Sequence, residues 1–324
     1  MALDHQAVAD AASRLAPHVR RTPLFATDAL GPMLAVKAEH LQHTGSFKFR
    51  GAMNRLLSLD EAGRAEGVIT ASTGNHGIGV ATAGGRLGVP VTVFVAAGVE
   101  TAITDRLTSL GAEVRRIESD DCADAEREAR RVAGVEGRVF VSPYNDPVVA
   151  AGQGTIGVEV LEQLGEMPEL TWDGLDAVIV AVGGGGLISG IATWIAHASP
   201  GTKVIGAQPA VDAAMAASIR AGRIVDADAA PTLSHSTAGG IEDDAITFEL
   251  CRDLVADWML VDEDAIAGAV RSMLFVANQL VEGAAGVALA AGAELARREP
   301  DARIAVISCG ARLTPAELDA VLAA

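Results

Sequence analysis

The sequence contains few aromatic residues, few cysteines and no long hydrophobic run. Aromatic residues make up 3% of the 324 residues, so the core has to be built from Ala, Val, Leu and Ile. The three cysteines (Cys122, Cys251 and Cys309) form no CxxC pair, which argues against a disulfide framework and fits a reducing compartment. No apolar run reaches the ~18 residues of a membrane helix, and the first residues lack the basic and apolar regions of a signal peptide. We therefore expect a cytoplasmic protein without a membrane partner.

The remaining composition is typical of an acidic globular protein. The net charge is −17 and the pI is about 4.8, which argues against a nucleic-acid partner, because nucleic-acid binding needs a basic surface. Half of the residues are hydrophobic, so a large core is available. The length predicts roughly two domains of ~150 residues each. The chain has only three lysines, Lys37, Lys48 and Lys203.

Short apolar segments alternate with amphipathic ones along the chain. The apolar segments are β-branched and mostly continuous, which predicts strands buried on both faces of a parallel sheet. Hydrophobic stripes over residues 8–19 and 266–280 predict two of the helices between them. The alternation predicts an open, twisted α/β fold. The predicted strands are Leu34–Lys37, Gly67–Ala71, Val91–Val95, Glu113–Ile117, Arg138–Val141, Ala177–Val182, Val204–Ala207 and Ile304–Ser308.

The pattern is interrupted near Gly51 and again over residues 142–147, where proline and aspartate occur. The stretch between these breaks holds several βα units of its own. We predict a small domain at residues 51–145, inserted into a large domain made of residues 1–50 and 146–324.

The segment Thr44–Arg50 is the most informative one. It follows a predicted strand, precedes a predicted helix and places Lys48 between two phenylalanines. Partial desolvation of an amine lowers its pKa and makes it a usable nucleophile or base. The alternative is an ordinary surface lysine. In a chain with so few lysines, Lys48 favours imine chemistry, which arginine cannot perform.

Two further segments indicate anion binding. Ser72–Gly77 combines the start of a predicted helix with Ser, Thr and Asn side chains, which suits a carboxylate; ordinary helix capping is the alternative. Gly183–Leu187 follows a strand and precedes a helix, so its backbone N–H groups are expected to bind a phosphate. No Lys-Ser/Thr pair follows, which argues against a P-loop.

Other patterns carry less information. Gly152–Gly157 fits G-x-G-x-x-G, but no strand precedes it, so the dinucleotide interpretation lacks its context. No cluster of histidine and cysteine suggests a metal, and we predict none. Ser308 and Cys309 follow the last predicted strand, where parallel sheets bind ligands. A small residue at a tight turn is the alternative there.

The lysine, the anion loop and the four-glycine loop together indicate pyridoxal phosphate with an amino-acid substrate. The chain resembles the fold-type II pyridoxal-phosphate enzymes of the serine/threonine dehydratase and serine racemase family over nearly its whole length. This resemblance implies a tryptophan synthase β-like fold of two open, twisted, mostly parallel sheets flanked by helices. It rests on five motifs in the family's order: Thr44–Arg50, Ser72–Gly77, Ala151–Thr155, Gly183–Leu187 and Val281–Gly286.

The resemblance also implies a role for each matching residue. Lys48 would hold the cofactor as a Schiff base and move the Cα proton, with Thr73 as a second catalytic residue. The other cofactor contacts would be Phe47 against the ring, Asn75 at the phenolic oxygen, Glu282 on the same side, Ser308 at the pyridine nitrogen, and Gly183, Gly184, Gly185, Gly186 and Leu187 at the phosphate. The substrate contacts would be Ser72, Thr73, Gly74, Asn75, His76, His235 and Ser236.

Some positions depart from the family pattern. Gln208 and Ala214 stand where members with a divalent-cation site carry carboxylates, which puts cation dependence in doubt. Thr73 replaces the serine that acts as second base in racemases, and its hydroxyl leaves a racemase activity open. Ser234–Thr237 replaces the usual Ala-Asp-Gly run beside the substrate side chain. The chain is also similar to hydroxyectoine-catabolism dehydratases in its Ser236–Gly240 stretch.

The resemblance therefore implies an ammonia-lyase that removes water from threonine or serine and releases a 2-oxo acid and ammonia. The open alternatives within the family are a larger or hydroxyectoine-derived substrate and an amino-acid racemase. Outside it, they are a nucleotide-dependent oxidoreductase and a non-catalytic binding protein. The partners expected are a small amino acid and a second copy of the chain, as a homodimer.

Overall fold

The computed structural model describes residues 2–167, 170 and 172–324. Ten strands form two sheets, packed with thirteen α-helices and a 3₁₀ helix at Glu39–Leu41. The strands are β1 (Leu24–Thr27), β2 (Leu34–Lys37), β3 (Val68–Ala71), β4 (Val91–Val95), β5 (Glu113–Arg116), β6 (Val139–Phe140), β7 (Ala177–Ala181), β8 (Lys203–Pro209), β9 (Asp257–Val261) and β10 (Ile304–Ile307). The helices are α1 (His5–Leu15), α2 (Lys48–Leu57), α3 (Glu61–Glu66), α4 (Asn75–Leu87), α5 (Thr101–Ser109), α6 (Cys122–Glu136), α7 (Pro147–Leu164), α8 (Gly186–Ala198), α9 (Ala214–Ala221), α10 (Ile246–Leu254), α11 (Glu263–Phe275), α12 (Gly283–Arg298) and α13 (Pro315–Ala323).

The larger sheet has the strand order β1-β2-β10-β7-β8-β9, and the smaller one has the order β5-β4-β3-β6. All pairs are parallel except β1 with β2, so the predicted α/β class with two mostly parallel sheets is confirmed. Because crossovers between parallel strands carry helices, both faces of the central strands are covered. The buried pattern of β2, β4, β7 and β10 follows from this.

Eight strands of the described residues coincide with predicted strands, whereas β1 and β9 were not predicted. Both lie at an edge of the larger sheet, and both contain residues that are not fully buried. The expectation of burial on both faces is wrong for β5, an edge strand whose residues are exposed or half-buried. Continuous apolar runs mark central strands, and edge strands lack them because a neighbour covers one side only.

Two predicted helical stripes extend too far. The first ends in α1 at Leu15, so Val19 lies beyond it, and the second ends in α11 at Phe275, so Ala277 and Leu280 lie beyond it. No helix among the described residues is long and apolar enough to cross a membrane.

The smaller sheet takes all its strands from residues 68–140, within the segment predicted as an inserted domain. The core around this sheet also includes Leu15, Phe49 and Val149, which come from outside that segment. The predicted domain limits therefore stay a prediction.

The G-x-G-x-x-G segment lies inside α7, where the backbone N–H groups are used in the helix. A Cβ at Gly152 would lie 2.8 Å from the Cα of Gly51, and one at Gly154 would lie 2.7 Å from the carbonyl oxygen of Gly190. These glycines let α7 contact the backbones of α2 and α8. Helix packing accounts for the motif, and the dinucleotide interpretation finds no strand–loop–helix context here.

Candidate active site

Several of the segments singled out in the sequence converge on one cleft. Three of them follow the carboxyl ends of parallel strands, which is where open α/β sheets bind ligands. The cleft is bordered by Phe47, Lys48, Asn75, the Gly183–Leu187 loop, Ser236 and Glu282.

Lys48 is the first residue of α2, and the chain before it is attached to the end of β10. Ser46 forms a β-bridge with Gly310, and the N–H of Phe47 donates to the carbonyl of Cys309. The Lys48 Nζ donates to the carbonyl of Pro143 at 3.0 Å and lies 5.2 Å from the centre of the Phe47 ring. Burial lowers the pKa of this amine to about 8. A substantial neutral fraction is therefore present near neutral pH, as a nucleophile or base needs.

A buried ionic network anchors α2 two residues further on. The Arg50 guanidinium contacts the carboxylates of Glu39 and Glu159, and Lys37 donates to Glu159 and to Gln163. The Arg50, Lys37 and Glu39 side chains are fully buried, and each positive charge has an acidic partner. Such pairing is required when charges leave water, and it joins β2, α2 and α7 behind Lys48.

The Ser72–Gly74 loop joins β3 to α4. Its residues are half-buried, and the Gly74 N–H donates to the Ser72 hydroxyl at 3.1 Å. The first N–H groups of α4 have no partner within the helix, so this end of α4 favours an anion. A Cβ at Gly77 would lie 2.1 Å from the Ser72 carbonyl oxygen, which explains the glycine there.

His76 lies in the first turn of α4, and its side chain is buried. The imidazole Nε2 lies 2.9 Å from the carbonyl oxygen of Val141, which requires a proton on Nε2. Burial lowers the pKa of His76 to about 3, so the ring is neutral. The expected contact to a substrate carboxylate is thereby limited to the His76 backbone N–H.

Asn75 and Glu282 form the centre of the cleft's polar wall. The Asn75 Nδ2 donates to both carboxylate oxygens of Glu282 at 3.0 and 3.1 Å, and it lies 3.5 Å from the Ser236 hydroxyl. The Asn75 Oδ1 is buried without a protein partner. Burial raises the pKa of Glu282, which also accepts the backbone N–H of Arg312 at 2.9 Å.

The four glycines make a tight connection between β7 and α8. Gly185 has φ +87°, a conformation that favours glycine. A Cβ at Gly184 would lie 2.4 Å from the Tyr144 ring, and one at Gly186 would lie 2.8 Å from the Tyr144 Cα. Packing against Tyr144 thus requires these glycines independently of a phosphate, a reason the sequence did not reveal. The N-terminal N–H groups of α8 remain for an anion.

Ser308 directly follows β10, and its hydroxyl oxygen is fully buried with no hydrogen-bond partner among the described residues. Ser308 itself does not border the cleft, whereas the next residue, Cys309, does. An unsatisfied buried hydroxyl is costly in an empty site and suits a ligand acceptor atom.

These features fit pyridoxal phosphate. The buried amine of Lys48, the Ser308 hydroxyl without a partner among the described residues and the N-terminus of α8 correspond to the aldehyde, the pyridine nitrogen and the phosphate. The individual roles of these residues stay proposals.

His235 and Ser236 lie at a smaller recess beside the cleft. The His235 ring is exposed, and its Nδ1 lies 2.6 Å from a carboxylate oxygen of Glu317. This contact directs the imidazole toward α13. The neighbouring Ser236 borders both spaces and is better placed for a substrate.

Both polar atoms of the Gln208 side-chain amide form hydrogen bonds with the protein backbone. Its Nε2 donates to the carbonyl of Val182 at 3.1 Å, and its Oε1 accepts the Ala216 N–H at 2.8 Å. Ala214 offers no ligand atom, and no group of three metal-ligating side chains occurs among the described residues. Hydrogen bonds therefore join β8, α9 and the end of β7 where a cation site would need carboxylates.

This arrangement predicts that divalent cations do not change the stability of the fold. We expect the thermal midpoint of the wild type to change by less than about 1 °C between chelator and added Mg²⁺. The matched variant Gln208→Ala loses two buried hydrogen bonds and should be destabilised by about 1–3 kcal/mol. Thermal unfolding by circular dichroism measures both, and a clear rise of the wild-type midpoint with Mg²⁺ would contradict this prediction.

The sequence analysis missed two residues beside the site. Tyr144 is the only tyrosine and lies in the Ser142–Pro147 break, which was interpreted only as a boundary. Arg312 follows Ser308 by four residues and reaches across to the Ser72–Gly74 loop. A lone basic residue after a strand gives no local signal of such a contact.

Comparison with known proteins identifies the family. The family described as pyridoxal-phosphate dependent enzyme matches residues 15–310. An L-threonine ammonia-lyase from Thermotoga maritima is 40% identical over 277 residues, which cover 84% of this chain and 67% of that protein. A serine racemase from Arabidopsis thaliana is 34% identical over 294 residues, 90% of this chain and 86% of that protein.

A solved structure supports the same conclusion. The processed form of threonine deaminase isoform 2 from Solanum lycopersicum superposes with a TM-score of 0.88 at 29% identity, covering 100% of this chain and 89% of that chain. With the cleft and its buried lysine, these matches establish that this chain belongs to the fold-type II pyridoxal-phosphate dependent enzymes and uses pyridoxal phosphate as its cofactor.

Proposed function

We propose that the chain is a pyridoxal-phosphate dependent ammonia-lyase that dehydrates threonine or serine to a 2-oxo acid and ammonia. The observation that carries the proposal is the convergence of Lys48, Asn75 at the start of α4 and the four-glycine loop around one cleft. Relatives named L-threonine ammonia-lyase from two organisms, 38 and 40% identical, support this reaction.

Each part of the cleft has a task in this reaction. Lys48 would hold the cofactor through its amine and would act as the base at the substrate Cα; its pKa of about 8 suits both roles. The N-terminus of α4 and the Ser72 and Thr73 hydroxyls hold the substrate carboxylate. Ser308 would offer its hydroxyl to the pyridine nitrogen, and a hydroxyl does not enforce protonation there. When bound, the cofactor supplies the ring that stabilises the negative charge left at Cα.

A racemase is the second candidate, because serine racemases are among the relatives and Thr73 carries a hydroxyl on the substrate loop. The similarity to hydroxyectoine-catabolism dehydratases stays a prediction. Both alternatives concern the same cleft and the same lysine.

The experiment is a substrate panel on the purified holoenzyme. L-threonine should give 2-oxobutanoate and L-serine should give pyruvate, each with one equivalent of ammonia. D-serine formed from L-serine without pyruvate would support the racemase, and turnover confined to hydroxyectoine-derived amino acids would support that substrate class. Binding of pyridoxal phosphate without conversion of any of these amino acids would refute the lyase.

We also propose a cytoplasmic homodimer. The three cysteines are free, which fits a reducing compartment and can be checked by cell fractionation. An exposed apolar surface at Leu41, Phe275, Val276 and Leu280 supports self-association; Phe275 is 65% and Val276 61% exposed. The His40–Gln279 hydrogen bond of 3.1 Å brings the two segments together.

The oligomer can be tested by light scattering during size exclusion. We expect twice the chain mass of 33.1 kDa for the wild type and a shift toward the monomer for Phe275→Asp. The exposed Val135, on α6, provides the control Val135→Asp. A monomeric wild type would contradict the proposal.

A further inference from the structure

Arg312 lies after β10 and contacts two segments beside the cleft. Its Nη1 donates to the carbonyl of Thr73 at 2.9 Å, across 239 residues of sequence. Its backbone N–H donates to the carboxylate of Glu282 at 2.9 Å. The same residue thus holds the loop that precedes α4 and the acid that caps α12.

The charge of this guanidinium is not neutralised by a side chain. Among the described residues, the Arg312 side chain donates to the backbone carbonyl of Thr73. The two acidic residues at the same recess, Glu282 and Glu317, have other side-chain partners. Glu317 contacts His235 at 2.6 Å, and Glu282 accepts from Asn75. A half-buried positive charge therefore remains at the recess beside the cleft, in a chain whose net charge is −17.

The hydrogen bond orients the peptide between Thr73 and Gly74. Its carbonyl points to Arg312, so its N–H points to the opposite side, where it contacts the Ser72 hydroxyl oxygen at 3.1 Å. That hydroxyl keeps its proton for another acceptor. The guanidinium also polarises the peptide, which makes the loop a better anion binder. The Nη1 lies 3.6 Å from the position of a Cβ on Gly74, so the charge is adjacent to the loop itself.

We propose that Arg312 is a positioning residue for the substrate carboxylate. It holds the Ser72–Gly74 loop in its carboxylate-binding form and adds a positive potential there, and its backbone N–H holds the carboxylate of Glu282. The role rests on the proposed function insofar as the ligand is an amino acid. It requires neither dehydration nor racemisation to follow.

The test compares three holoenzyme variants with the wild type. Arg312→Met removes the charge and the donors at similar length, and Arg312→Lys restores a charged donor. Arg116→Met is the matched control. Arg116 lies on β5, an edge strand of the smaller sheet, and its side chain also donates to backbone carbonyls, those of Ala97 and Val99. Thermal unfolding checks that each variant is folded.

The first measurement is a titration with L-alanine, which has the carboxylate and amine but no β-hydroxyl to eliminate. The change in the cofactor's visible absorbance reports binding. We expect the L-alanine concentration at half-saturation to rise roughly 10-fold for Arg312→Met, because a charged hydrogen bond near the surface is lost. For Arg312→Lys we expect this concentration to return to within about threefold of the wild-type value. Cofactor affinity should be unchanged in both, and Arg116→Met should match the wild type.

The second measurement is the KM and kcat for L-serine, L-threonine and 3-hydroxyaspartate. We expect KM to rise by a similar factor, about 10-fold, for all three in Arg312→Met, with kcat within about twofold. The proposal would be overturned if Arg312→Met left the L-alanine titration unchanged. It would also be overturned if the affinity for the cofactor fell by the same factor as the affinity for L-alanine. A loss confined to 3-hydroxyaspartate would also overturn it, because Arg312 would then bind a side-chain carboxylate. If the wild type binds L-alanine but dehydrates nothing, the proposed function fails and the titration still decides the role of Arg312.

Discussion

Lys48→Ala should eliminate turnover of L-threonine and L-serine, with a loss of at least about 10³-fold. The variant lacks both the amine that attaches the cofactor and the base at Cα. Burial holds the pKa of this amine at about 8, and no other lysine borders the cleft among the described residues. The measurement is 2-oxo acid formation under saturating substrate, with the cofactor absorbance recorded on the same sample.

The chain offers a matched control for this substitution. Lys203 is exposed at the start of β8, so Lys203→Ala should retain full activity. Lys37 is unsuitable as a control, because it belongs to the buried ionic network behind α2. Borohydride reduction followed by peptide mapping should place the cofactor mass on the peptide that contains Lys48. Undiminished turnover in Lys48→Ala would refute the mechanism.

Gly185→Asp should abolish cofactor binding. Gly185 has φ +87°, and a Cβ there would lie 2.9 Å from both the Met215 Cε and the Thr247 Cβ. The new carboxylate would also stand at the N-terminus of α8, where a phosphate is expected. Two unit charges of like sign at about 4 Å repel by about 4 kcal/mol at an effective dielectric constant of about 20, close to a 10³-fold loss of affinity. The measurement is the cofactor content of the purified protein.

Two further variants separate the causes of this loss. Gly185→Ala shares the strain and the close contacts but adds no charge, so it should bind the cofactor better than Gly185→Asp. Gly222→Asp places the same carboxylate at another left-handed glycine, with φ +69° and open space around it, and should retain the cofactor. Full cofactor content in Gly185→Asp would contradict the phosphate assignment.

The fold class was accessible from the sequence because periodicity reports burial. Central strands such as β4 and β7 are buried along their whole length, so they appear as continuous apolar runs. The edge strands β1 and β9 gave no such signal, since one side of each lacks a neighbouring strand. The helix that contains the G-x-G-x-x-G motif was distinguishable from a dinucleotide loop by the absence of a preceding strand.

The candidate site was predictable as separate segments. Lys48, the Ser72–Gly77 segment and the Gly183–Leu187 loop each stand at the start of a helix, and that local context is visible in the sequence. Their side-chain partners were not visible. The His76 ring contacts Val141, and His235 contacts Glu317; neither contact follows from local sequence.

The sequence by itself determined the α/β class, and it predicted the attachment lysine and two anion-binding helix starts. These features depend on residue type and on neighbours within about one turn or one strand. The tertiary structure alone decided that Asn75 meets Glu282 across 207 residues, that Tyr144 packs on the four glycines, and that Arg312 reaches Thr73 across 239. The physical reason is that such contacts arise where the ends of distant strands meet at one edge of a sheet, and chain proximity carries no information about them.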